Sequence, residues 1–178
     1  MRYQWTLILI VGLGMGLSGC LDSDDDDDNG NGEEVGDGWP ELQGVWQSNC
    51  FVVPGEDGAS DAPQIQTVDI DGDRAEVDAA IYDETDTTCA GATIVEASIV
   101  WRYEVGEEIT TSGGVTAREI DVEVVEDPAD VTDFDEEFDI FHINDDGNTL
   151  YFSADAAPRS EDRPDTLDFD RPYTKISD

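Results

Sequence analysis

Few residue types in this chain invite chemistry, although acids abound. There is one histidine, His142; there are three cysteines, Cys20, Cys50 and Cys89; and 45 Asp and Glu face only 8 Lys and Arg. His142 lies in Phe141-His142-Ile143, within a stretch that reads as a strand. A serine–histidine–acid system needs a marked nucleophile, and the GxSxG elbow is absent. Zinc held by a single histidine would need carboxylates for its other ligands, and no CxxC exists to supply sulfur. His142 is therefore read as a strand residue that is wet or hydrogen-bonded. Paired carboxylates can do acid–base work, but with 45 acids chance pairs are unavoidable. Asp69-Ile70-Asp71-Gly72-Asp73 has the look of a cation loop, yet its place between two alternating segments makes it a charged turn. The aspartates at 24–28 lack the spaced ligands, turn glycine and bidentate glutamate of a calcium loop. At most such segments hold divalent cations weakly. No catalytic residue, metal ligand or cofactor is expected.

The N-terminus has a different character. Arg2 and the terminal amine precede an uncharged apolar run from Trp5 to Leu17. A membrane-spanning helix needs about 20 apolar residues, so this run is short for one. A positive start, an apolar stretch and small residues before a cleavage point make a secretory signal. The tetrapeptide Leu17-Ser18-Gly19-Cys20 resembles the lipobox of bacterial lipoproteins. The resemblance implies cleavage before Cys20, diacylglycerol on its thiol and a fatty acyl group, such as palmitate, on its new amine. Two or more chains anchor stably where one does not. Leu21 follows the cysteine; under the enteric sorting rule aspartate there retains a lipoprotein in the inner membrane, so leucine points to the outer membrane. If Cys20 goes to lipid, Cys50 and Cys89 are left as a pair in an oxidising compartment, where a disulfide is expected.

The chain divides accordingly: a signal peptide at 1–19, the lipidated cysteine with an acidic tether at 20–41, and one domain at 42–178. Residues 22–38, DSDDDDDNGNGEEVGDG, show no apolar periodicity and should be extended by self-repulsion. The formal charge of -37 argues against nucleic acid and against adhesion to anionic lipid. It suits a protein adapted to high salt, where screening relieves repulsion.

From Leu42 onward the period is two. Val77, Ala79 and Ile81 alternate with polar or small residues; Val95, Ala97, Ile99, Trp101 and Tyr103 share one face; Ile120, Val122 and Val124 alternate with acids. Such alternation marks sheets with one buried face. Strands are expected near 43–51, 65–71, 74–82, 92–100, 101–109, 117–126, 137–143 and 149–154, and an irregular tail after them. The fold class is all-β: an antiparallel, about eight-stranded up-and-down barrel of lipocalin-like form, with an open sandwich as the fallback.

Gly44-Val45-Trp46 resembles the glycine-x-tryptophan that opens the first strand of lipocalin-like, calycin-type barrels. There the tryptophan closes one end of the barrel, often beneath an arginine from the last strand. The expected last strand, TLYFS, offers none, and Arg159 lies beyond it. The chain also resembles lipoproteins of marine and environmental gammaproteobacteria through Gly44 to Cys50, Cys89 after Tyr82, Leu150-Tyr151-Phe152, and the closing Arg163-Pro164-Asp165-Thr166-Leu167-Asp168 with Pro172-Tyr173-Thr174. That resemblance brings no activity with it.

The functional expectation is a lipid-anchored envelope protein, not an enzyme, that takes a small apolar ligand in its barrel. Trp46, Ile81, Ile99, Trp101, Tyr103 and Phe152 are the candidate interior or ligand-lining residues. The alternative is a solid structural or protein-interaction module of the envelope, with another envelope protein as partner. A hydrolase is the remote third reading.

Overall fold

The computed structural model describes residues 38–54, 61–126 and 136–178. The expected signal peptide, Cys20 and the aspartate run lie outside the described residues. Alternating sequence becomes strand throughout: β1 (Gly44–Ser48), β2 (Phe51–Val53), β3 (Ala62–Asp71), β4 (Arg74–Ile81), β5 (Val95–Thr110), β6 (Thr116–Glu126), β7 (Glu136–Ile143), β8 (Thr149–Phe152) and β9 (Tyr173–Ser177). Each pairs antiparallel with its neighbours. β1 and β2 both lie along β3, so they act as one interrupted stave. β1 also pairs with β9, which closes the sheet on itself. The result is an up-and-down closed barrel of about 8 staves, of lipocalin type.

The count agrees with expectation, but two strands do not. The strands expected at 92–100 and 101–109 are one continuous β5 of 16 residues. Nothing at Val100-Trp101-Arg102 has turn chemistry. Irregular register at Val100/Trp101 and again at Val105/Glu108 bends the strand without ending it, as bulges do. The second difference lies in the tail, where β9 supplies the closing stave. Its pattern hides it: Tyr173 is buried, Lys175 lies on the same face, and Ile176 on the other is 55% exposed.

Between β8 and β9 the chain straps the outside of β6 and β7. Ala157 and Phe138 exchange backbone hydrogen bonds of 2.9 and 2.8 Å. Arg163 donates to the carbonyls of Ile120 and Asp139, pairs with Asp121, and stacks over the Phe138 ring. Outward-facing Ile140 is thereby fully buried, although it is not part of the barrel interior.

The Cys50–Cys89 disulfide is present, with Cα atoms 5.7 Å apart and a sequence separation of 39. It ties the β1–β2 stave to the loop between β4 and β5. In that loop Asp86 accepts hydrogen bonds from the amides of Thr88, Ala90 and Gly91 and from the Thr88 hydroxyl. Replacing both cysteines by serine is expected to lower stability by about 4 kcal/mol on the loop-entropy model, read as a reduced urea midpoint with unchanged far-UV dichroism.

Closure depends on Gly44. Its φ is +107°, and a Cβ there would lie 2.4 Å from the Ser177 carbonyl oxygen. Only glycine lets β1 and β9 meet so closely. Gly44→Ala should cost about 2 kcal/mol or more through overpacking and backbone strain; denaturant unfolding together with amide exchange at the β1–β9 seam measures it.

Candidate functional site

One end of the barrel is plugged. Trp46 is fully buried, and its indole N–H donates to the Leu42 carbonyl at 2.7 Å. The Lys175 ammonium from β9 stands 5.4 Å from the Trp46 ring. The arginine that covers this tryptophan in calycin-type barrels is not found over Trp46 among the described residues; a lysine stands there instead, on β9, which the sequence did not mark as a strand. Neither TLYFS nor Arg159 supplies it. Beside it the Tyr103 hydroxyl donates to the Gly72 carbonyl at 2.7 Å and accepts from Gln43 at 3.1 Å. Trp39 packs against this cluster beneath Arg118, whose guanidinium lies 4.4 Å from the ring.

The six candidate lining residues are distributed unevenly. Trp46, Ile99 and Tyr103 are buried in the main core with Val68, Val77, Ile120, Phe141 and Leu150. Ile81 is buried at the far end of β4, outside that cluster. Trp101 and Phe152 are partly buried against it. Only Tyr103 of the six lines the cleft described below.

The other candidates for chemistry stay apart. His142 lies on the outer face, its Nδ1 2.8 Å from the Thr116 carbonyl and its ring stacked on Tyr151. Asp71-Gly72-Asp73 is the turn between β3 and β4, with Asp73 3.7 Å from Arg102. Among the described residues no three His, Cys, Asp or Glu side chains converge as a metal site.

A site the sequence reading missed lies on β7. Directly opposed residues of an antiparallel pair share a face. Glu137 opposes Val122 and Asp139 opposes Ile120, both core residues, so two acids face inward. They are only 5% and 6% exposed. Asp139 accepts from the amides of Ile140 at 2.7 Å and Ser153 at 3.3 Å. Among the described residues one Glu137 oxygen, Oε2, has no hydrogen-bond partner. Nearby the Tyr173 hydroxyl donates to Gln66, and Arg171 donates to the carbonyls of Ser153 and Ala154.

Burial sets the charge of these groups. Desolvation, with the Asp139 charge adding to it, pushes Glu137 up to about 9. Desolvation raises Asp139 to about 6, opposed by its hydrogen bonds and by Arg171. At neutral pH Glu137 keeps its proton while Asp139 is mostly ionised. Glu137 lines a cleft of about 590 Å³, with Tyr103, Val105 and Val122 on the same inward face and Trp39 and Asp73 beside Tyr103. The signal in the sequence was Glu137 and Asp139 in phase with Phe141 and Ile143. It was ambiguous because Phe138 and Ile140 make the opposite phase equally apolar.

A raised carboxyl pKa means the native state binds a proton that the unfolded chain releases. Stability should therefore fall as pH rises from about 4.5 toward 9 for Glu137. Glu137→Gln removes this slope and should stabilise the protein at pH 8 by roughly 2–4 kcal/mol while leaving pH 4.5 nearly unchanged. Urea midpoints of both proteins across that range measure it.

No family model, curated protein or solved structure matches this chain. What is shown is the architecture, an all-β closed barrel of lipocalin type.

Proposed function

We propose that this protein is anchored in the outer membrane by lipid on Cys20 and binds a small, largely apolar molecule in its barrel domain. The observation that carries the binding reading is the cleft of about 590 Å³ along β5, β6 and β7. That volume falls within the roughly 300–1,000 Å³ of small-molecule sites. The barrel type supports it as well, since eight-stranded barrels have room for one small ligand. The ligand lies along Tyr103, Val122 and Glu137, next to the Tyr103–Trp39 cluster that adjoins Trp46. Anchoring rests on the lipobox-like Leu17-Ser18-Gly19-Cys20, and the acidic residues after it serve as a spacer that holds the domain off an anionic surface.

A second reading, a protein-interaction module, draws on the outer aromatic row. His142 stacks on Tyr151 at 6.3 Å, and Tyr151 meets Phe169 edge-on at 5.0 Å, with Phe169 53% exposed.

Native mass spectrometry on protein extracted gently from its own membrane separates the two. The expected spectrum shows acyl mass on Cys20, an intact disulfide and one small-molecule adduct per chain. Recovery of unacylated chain overturns the anchoring. A bare chain, or one that co-extracts a second protein instead of a small molecule, overturns ligand binding.

A further inference from the structure

The chemistry around the cleft selects among small molecules. Among the described residues that line it, the inward-facing acid is Glu137, which is 5% exposed and has an oxygen without a partner. A polar atom in that position costs free energy unless something completes it. The strands that form the walls also carry Glu104, Asp121, Glu123 and Glu136, and Asp73 lies beside Tyr103; Arg102 is the basic residue of the lining. Asp121 is further matched by Arg163. Acids exceed bases around the cleft, within a chain of formal charge -37. Such a field raises the local concentration of cations and repels anions. The remaining inward wall is Tyr103, Val105 and Val122, with Trp39 beyond.

We propose that the cleft binds an organic ammonium: an amine on an apolar or aromatic body, its nitrogen held by the Glu137 carboxylate. This deepens the proposed function and rests on it. The same field disfavours a fatty acid or other anion.

The proton balance follows from the pair. A protonated amine and a protonated carboxylic acid cannot both keep their protons and form an ion pair. On binding, the Glu137 carboxyl proton passes to solvent and the ammonium stays charged. Complex formation therefore releases one proton per ligand. The titratable groups around Glu137 are Asp139 on its own strand, Tyr103 across the cleft on β5, and Asp73 at the β3–β4 turn. On β9 and the segment before it, Tyr173 and Arg171 act on Asp139. β6 opposes Glu137 with Val122 and brings no inward charge there.

The test is calorimetric titration of the full-length protein with 2-phenylethylamine, 2-phenylethanol and phenylacetate. Each is measured in two buffers of different ionisation enthalpy. The amine should bind with release of about one proton, its affinity rising up to tenfold per unit between pH 6 and 8. The alcohol should bind at least about tenfold more weakly, and phenylacetate not at all. Glu137→Gln should lose the proton release and at least about tenfold in amine affinity, while remaining folded by its thermal transition. Equal binding of amine and alcohol, binding without proton release, or full retention by Glu137→Gln would each overturn the ammonium assignment. Equal binding of the alcohol leaves small-molecule binding intact. Failure of all three probes overturns the assignment too, and the adduct in the native mass spectrum then decides the broader reading separately.

Discussion

Pairing between β1 and β9 is the contact on which everything else in this structure depends. An antiparallel sheet of this length would otherwise expose two edges and leave one face half covered. Joining the first stave to the last removes both edges and turns one face into an interior. The join sits where Gly44 meets Ser177, and glycine is required there by both the positive φ and the close approach of the carbonyl. Trp46 and Lys175 are register partners across the same seam. The plug of the barrel and its closure are therefore one feature: the lysine reaches the tryptophan ring because β9 lies beside β1.

The long connection into β9 is equally constrained. It must leave β8, cross the outer face of β7 and return to the seam. Arg163 fixes it through two backbone carbonyls, a carboxylate and an aromatic ring. This guanidinium is well buried and its donors are matched, which makes it worth more than the exposed pair of Arg74 and Glu126. The strap also inverts the usual reading of β7. Because it covers Phe138 and Ile140, the outer face of that strand can be apolar. The inner face is then free to hold Glu137 and Asp139.

Two acids two residues apart on an inward face disfavour each other's charge, and burial disfavours both. The protein answers by giving Asp139 backbone donors and leaving Glu137 protonated. A fold selected for stability alone would place apolar side chains at these positions. Retaining an acid with an unpartnered oxygen beside a cleft is the pattern expected of a site, where local rules are broken for function.

The alternation of Val77, Ala79 and Ile81, of Ile99, Trp101 and Tyr103, and of Ile120 and Val122 was enough to determine an all-β antiparallel fold, because a period of two has one meaning when a face is buried. The Cys50–Cys89 pairing was legible through the arithmetic of three cysteines once Cys20 was given to lipid. Gly44 and Trp46 were legible as a first strand. Other features were settled only in three dimensions. β9 places a lysine inward and an isoleucine outward, so its strand character comes from the two neighbours that hydrogen-bond to it and not from its own pattern. β5 runs through a point where two strands were expected, because bulges bend a strand without any turn residue to mark them. The phase of β7 was decided by a strap more than ten residues away. A local sequence shows which residues alternate, but the choice between two equally apolar faces belongs to whatever covers each of them, and only the closed barrel supplies that.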